Sequence, residues 1–127
     1  MDTDHASRLR QDLRRKGREI VRLFREALRR EPMVRGIVYT LRRKCGKAGC
    51  RCSRGELHEC RVFSFLDARG VKRLRPVTPP ARARWSALTR RYRRARKARA
   101  QAVKVFAEAL RLMDALERER TIRPPPA

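Results

Sequence analysis

Acidic residues are the scarce class in this sequence. Its 127 residues hold 13 Asp and Glu against 36 Lys and Arg, a formal charge of +23. A compact chain so one-signed repels itself and favours a polyanionic partner. Long apolar runs are missing too: nothing approaches the roughly 18 residues that a membrane-spanning helix needs. The opening stretch MDTDHASRLR has acids and no apolar segment, so no secretory signal is expected there. The expected location is cytoplasmic, or nucleoid-associated if the partner is DNA, with no membrane partner. Aromatic residues make up only 6%, and Phe24, Trp85, Tyr92 and Phe106 lie on apolar stripes, where they read as core and not as base-stacking platforms. Phe63 and Phe65 alternate along one strand and read the same way.

Catalytic groupings are absent from the pattern as well. There is no Gly-rich phosphate loop, no Ser/His/Asp grouping and no pair of carboxylates spaced for metal-dependent hydrolysis. The sequence H-E-C at His58 is neither the H-x-E of the deaminases nor the H-E-x-x-H of the zincins. No catalytic residues are assigned and the chain is not read as an enzyme. A nuclease component is the enzymatic alternative, with Glu59 as its one candidate acid. A chain below about 150 residues is expected to form one domain, and one this small gains from an additional staple.

What is abundant is arginine: 30 of the 36 basic residues. Its planar fork pairs bidentately with phosphate, where lysine offers a point charge. Codon bias can trade Lys for Arg, but it does not create the excess of positive charge. That excess is uneven. Residues 7–30 carry 10 basic and 3 acidic groups, 35–77 carry 12 and 3, 81–104 carry 10 and none, and 105–127 carry 4 of each.

The spacing predicts an α+β chain. Residues 1–6 are expected to be disordered. A basic amphipathic helix is expected over 7–31, with Ser7 as N-cap and Pro32 marking its end. Leu9, Leu13, Ile20, Phe24 and Leu28 share one face of it at 100° per residue, and Arg15, Arg18, Arg22, Arg25 and Arg29 share the other. Asp12, Glu19 and Glu26 lie on a flank, one turn from arginine partners. Residues 35–44 alternate with a period of two and read as a strand, and CRVFSFLD and GVKRLRPV read as a hairpin joined by Ala68-Arg69 before Gly70, so 35–77 is expected to hold a small antiparallel sheet of two or three strands. After Thr78-Pro79-Pro80, residues 81–120 read as one long helix or a helix pair. Its stripe runs through Trp85, Leu88, Tyr92, Val103, Phe106, Leu110 and Met113, and residues 121–127 are expected to be a disordered tail. The near-neutral stretch 103–116 suits core packing, a homodimer or a helical protein partner.

All four cysteines fall within CGKAGCRCSRGELHEC: Cys45, Cys50, Cys52 and Cys60, with His58 two residues before the last. In a non-secreted chain, such a cluster reads as a metal site before a disulfide framework. Zinc suits it, because a d¹⁰ ion accepts tetrahedral thiolate and imidazole without redox chemistry. Closed thiolate-rich sites are structural, so the expected cofactor is a structural Zn²⁺ that staples the sheet. Cys45, Cys50 and Cys52 are three ligands, and the fourth is His58 or Cys60. Gly46, Gly49 and Gly55 are expected to form tight turns that aim backbone N–H groups at sulfur.

The run GIVYTLRRKCGKAGCRCSRGELHEC resembles a group of small uncharacterised bacterial and archaeal proteins with a CGKxxCxCxxGxxHGP signature followed by an aromatic-rich hairpin. The resemblance spans about Gly36 to Val77. Cys45, Gly46, Lys47, Cys50, Cys52, Gly55 and His58 match, while Glu59-Cys60 replaces the Gly-Pro of the signature. That group is often encoded near transposases, so the resemblance implies a zinc-binding protein linked to mobile elements.

Together these features lead to an expected function: a zinc-stapled accessory or regulatory protein that binds nucleic acid, DNA before RNA, through arginine–phosphate contacts. The contacting residues expected are Arg15, Arg18, Arg22, Arg25, Arg29, Lys47, Arg51, Arg54, Arg90, Arg91, Arg93, Arg94, Arg96 and Lys97. The alternative is a structural RNA-binding component of a ribonucleoprotein particle.

Overall fold

The computed structural model describes residues 3–127 and is α+β: helix α1 (Thr3–Ala27), strands β1 (Ile37–Arg43), β2 (His58–Leu66) and β3 (Lys72–Pro76), and helix α2 (Pro79–Arg120). The chain divides into two compact units, residues 31–94 and residues 1–30 with 95–127. Helix α2 contributes to both.

In the first unit the three strands form one antiparallel sheet in the order β1-β2-β3. The β1–β2 register pairs Ile37 with Ser64 at one end and Arg43 with His58 at the other. β2 and β3 meet in the expected hairpin. Gly70 takes a positive φ of 79° there, and the Asp67 carboxylate accepts hydrogen bonds from the N–H groups of Arg69 and Val71 and from Arg73 Nε at 2.9–3.0 Å. Those donors hold the Asp67 carboxyl below the usual carboxylate range, the Val71 N–H foremost. A sheet this small needs a cover. Phe63 is 7% exposed and stacks on Phe65 and on Trp85 of α2, both at 5.0 Å, while Val62, Val77, Leu88 and Thr89 are buried. The segment before β1 is fixed to α2 by Val34 N–H to the Leu88 carbonyl (3.1 Å) and by Arg91 to the Pro32 carbonyl (3.1 Å). Gly36 lies so close to Phe63 that a Cβ there would sit 2.5 Å from Cε2 of the ring. The Phe63–Phe65 pair is thus largely core.

In the second unit α1 runs antiparallel to the remainder of α2. Lys16 pairs with Glu108, whose carboxyl it holds below its ordinary range, Gln101 donates to Glu19 at 3.3 Å, and Phe24 meets Phe106 with centroids 5.9 Å apart.

The structure corrects several expectations. Helix α1 starts at Thr3, so residues 3–6 are helical, Ala6 is buried at 3% exposure, and Ser7 lies inside the helix and does not cap it; residues 1–2 of the expected disordered start lie outside the described residues. The helix ends at Ala27, leaving Leu28 and Arg29 beyond it and Pro32 further on. Helix α2 is one element of 42 residues and begins at Pro79-Pro80, where a missing N–H costs nothing because first-turn donors have no helical acceptor. For its apolar stripe over 103–116, where core packing and a partner both stood open, the structure decides against the core. Leu88 is buried as expected, but Val103, Phe106, Leu110 and Met113 are 42–61% exposed. The buried face is instead Val105 (0%), Ala109 (6%) and Leu116 (9%), continued by half-buried Ala98, Ala102 and Leu112. This face packs on α1, and the bulkier stripe falls about 100° away around the helix.

Candidate metal centre

β1 delivers Cys45 two residues past its end, and β2 opens on His58, so the register that pairs Arg43 with His58 draws these two residues together. The loop between them folds back through two glycines in the left-handed region, Gly46 (φ 84°) and Gly55 (φ 107°). Gly49 lies in a tight turn as expected, without a positive φ. Cys50 N–H closes a turn on the Lys47 carbonyl at 3.2 Å. A short 3-10 turn (Arg51–Arg54) follows, carrying Cys52 inward to 1% exposure, and the Gly55 N–H bonds the carbonyls of Arg51 and Cys52 at its end. The Ser53 hydroxyl donates to the carbonyls of Cys50 (2.7 Å) and Ala48 (3.3 Å), fixing the turn from outside.

The outcome is a four-membered cluster. The ligand atoms of Cys45, Cys50, Cys52 and His58 all lie within 4.8 Å of one another and could hold a metal ion. The Cys45 and Cys52 sulfurs are 3.5 Å apart, and Cys50 Sγ is 3.1 Å from His58 Nε2. A tetrahedral site with arms of about 2.3 Å has edges of about 3.8 Å, so a cluster whose donor atoms lie 3.1–4.8 Å apart is of the size such an ion requires.

The electrostatics split the four donors: Cys45 and Cys50 are drawn toward thiolate, while Cys52 and His58 are held toward their protonated forms. The Lys47 N–H, and then Cys52, pull the Cys45 thiol down from its ordinary value of 9.0 to about 6. Cys50 is lowered by the Cys52 N–H first. Cys52 receives the Cys45 N–H at 3.3 Å, which acts downward, but burial and the neighbouring sulfurs outweigh it and hold the thiol above its ordinary value. His58 is raised, by Cys45 and then by Cys50, because thiolates stabilise its imidazolium. Three sulfurs crowded beside an imidazole favour deprotonation of one thiol at the expense of the next. A divalent cation removes that conflict.

Cys60 is outside this group. It lies opposite Leu41, one step further into the sheet than His58, and its Sγ is 3.6 Å from the Arg61 carbonyl. Of the two alternatives for the fourth position, the geometry gathers His58.

The basic residues singled out from the sequence fall in both units. In the sheet-bearing unit Lys47, Arg51, Arg54, Arg90, Arg93 and Arg94 are exposed, while Arg91 is half-buried and spends one N–H on Pro32. In the helical unit Arg15, Arg18, Arg22, Arg25, Arg29, Arg96 and Lys97 are exposed. Asp12, Glu19 and Glu26 partner Arg15 (2.6 Å), Arg22 (3.9 Å) and Arg29 (3.6 Å), the flank pairing that the helical spacing implies. Among the described residues, no helix is long and apolar enough to cross a membrane.

No model of a known protein family matches this chain, and neither does any curated protein or solved structure.

Proposed function

We propose that this chain is a zinc-stapled nucleic-acid-binding protein that acts as an accessory or regulatory factor on DNA. The observation that carries the reading is the exposed, nearly one-signed arginine surface of a chain with a formal charge of +23. Arg15, Arg18, Arg22 and Arg25 recur at three- and four-residue intervals on α1, so their guanidinium groups line up over about 15 Å of helix. Each DNA strand places one phosphate per about 3.4 Å of duplex axis, so a stripe of that length can reach several phosphates. The acids beside them, Asp12 and Glu19, are half-buried and pair with Arg15 and Arg22 from one flank of the stripe, whose arginines are exposed. Zinc is the ion that best suits three cysteines and a histidine in tetrahedral array, and a site without a vacant corner serves structure and not catalysis. It would tie the end of β1 to the start of β2 across the loop from Cys45 to His58. Closing a loop of that length is worth about 3 kcal/mol by the chain-entropy argument.

Two measurements test the two halves. Elemental analysis of the purified full chain should find one zinc per molecule, and its removal by a chelator should lower the melting temperature of the sheet-bearing unit by roughly 10–20 °C. The same melting temperature after complete metal removal would overturn the staple. Affinity for duplex DNA should fall by about a thousandfold between 50 and 200 mM salt if some six phosphates are contacted. A flat salt response would remove the phosphate mechanism.

A further inference from the structure

The stripe of α2 that the fold leaves open has an order of its own. Val103, Phe106, Leu110 and Met113 are spaced three, four and three residues apart, the spacing of a coiled-coil seam. It lies beside, and not within, the face that packs on α1. α2 therefore carries two apolar seams in the helical unit: one filled by α1, one facing outward. Phe24 (48% exposed) of α1 extends the open face through its contact with Phe106. Fully exposed side chains of this size offer roughly 150–250 Å² each, so these five half-exposed residues present on the order of 500 Å². Paired with an equal face, that comes to about 1,000 Å², the size a specific interface should reach, and apolar patches of several hundred Å² on a monomer are often functional.

We infer that this face binds a second copy of the same chain, with the two α2 helices antiparallel. Two observations name the occupant. First, the seam lies mainly in the one stretch of the chain with balanced charge, four basic and four acidic groups over 105–127, where two otherwise strongly cationic molecules can approach. Second, the seam is self-complementary in one direction only. Extended by the same spacing, it reads Arg99, Val103, Phe106, Leu110, Met113, Glu117. An antiparallel two-fold pairing centred between Phe106 and Leu110 sets Val103 against Met113, Phe106 against Leu110, and Arg99 against Glu117, twice by symmetry. A parallel pairing sets Arg99 on Arg99 and Glu117 on Glu117. The next positions outward, Arg96 and Arg120, are both cationic, which ends the seam there. The assembly is a four-helix arrangement of two helix pairs, the usual way in which antiparallel helices bury a second seam.

The test is the mass of the full chain in solution, after nuclease treatment and at about 0.2 M salt, where charges more than about 8 Å apart are screened. Light scattering should give twice the chain mass at tens of micromolar and fall toward the monomer on dilution. Leu110→Glu, at a 56% exposed position, should give the monomer mass with helical circular dichroism unchanged. Met113→Lys, at 52% exposure, is the second variant should the first lose helicity. Arg99→Glu and Glu117→Arg should each raise the dissociation constant several-fold, and the double reversal should restore it. A monomer at every concentration, or a dimer indifferent to Leu110→Glu and Met113→Lys, overturns the interface. A double reversal no tighter than either single change overturns the antiparallel register. None of these readouts depends on DNA binding or metal, so this interface and the proposed function can fail separately.

Discussion

Adding one carbon at Gly36 and the same carbon at Gly17 should move stability in opposite directions. At Gly36 a Cβ would stand 2.5 Å from Phe63 Cε2, 3.0 Å from its Cζ and 2.6 Å from the Ser64 carbonyl oxygen. Relief to ordinary van der Waals contact demands about 1 Å of movement. The ring cannot supply it easily, because Phe63 is buried between Phe65 and Trp85. The carbonyl belongs to β2, whose Ser64 is paired with Ile37 immediately after the glycine. Overpacking of this kind costs about 1–3 kcal/mol, which for a small unit lowers the melting temperature by roughly 5–20 °C. At Gly17, in the interior of α1, no atom lies within 4 Å of the added carbon. There Ala replaces the residue with the largest backbone entropy loss, and Gly17→Ala should stabilise by about 0.5–1 kcal/mol. The assay is thermal unfolding of each variant by circular dichroism, with fluorescence of the single tryptophan, Trp85, reporting the Phe63 stack. Because β1 leads into Cys45, Gly36→Ala should also weaken metal retention, whereas Gly17→Ala should leave it unchanged. If Gly36→Ala melted within about 1 °C of the parent with Trp85 emission unaltered, the packing argument for this corner of the sheet would be wrong.

Two further outcomes bear on the loop and the hairpin. In metal-free protein kept folded at low temperature, alkylation at pH 7 should strike Cys45 first, since a thiol held at about 6 is some nine-tenths thiolate there, and buried Cys52 last. The Cys45 rate should fall as pH drops below 6, and added zinc should protect Cys45, Cys50 and Cys52 while leaving Cys60 reactive; protection of Cys60 in place of a clustered cysteine would sink the ligand assignment. Asp67→Ala should lower the melting temperature of the sheet-bearing unit by several degrees, because its carboxylate organises the β2–β3 turn. As Asp67 titrates below its ordinary value, that stabilisation is fully present above the usual carboxylate range and is lost as pH falls through the lowered value. A variant with the parent's acid-unfolding curve would count against it.

The sequence by itself determined the local features. Alternation of side chains placed the strands, the Asp67-to-Gly70 turn residues placed the hairpin, and 3.6-residue periodicity placed both helices. The concentration of every cysteine within 16 residues also marked the loop that gathers the candidate metal ligands. Each of these signals depends on neighbours a few positions away. Two questions were not local, and the tertiary structure decided them. His58 and Cys60 share a face of one strand and carry equally suitable donors. The β1–β2 register sets His58 beside the end of β1, where Cys45 follows, and Cys60 beside Leu41. On α2, two stripes about 100° apart are both apolar enough to be core. The sequence pattern favoured the bulky one, Val103 to Met113. Which stripe turns inward depends on the shape of α1 opposite it, and the antiparallel pairing buries Val105, Ala109 and Leu116 instead. A single helix's periodicity carries no information about its neighbour's surface, so the sequence left 103–116 open between core packing and a partner, and only the two helices together show that Val103, Phe106, Leu110 and Met113 stay exposed.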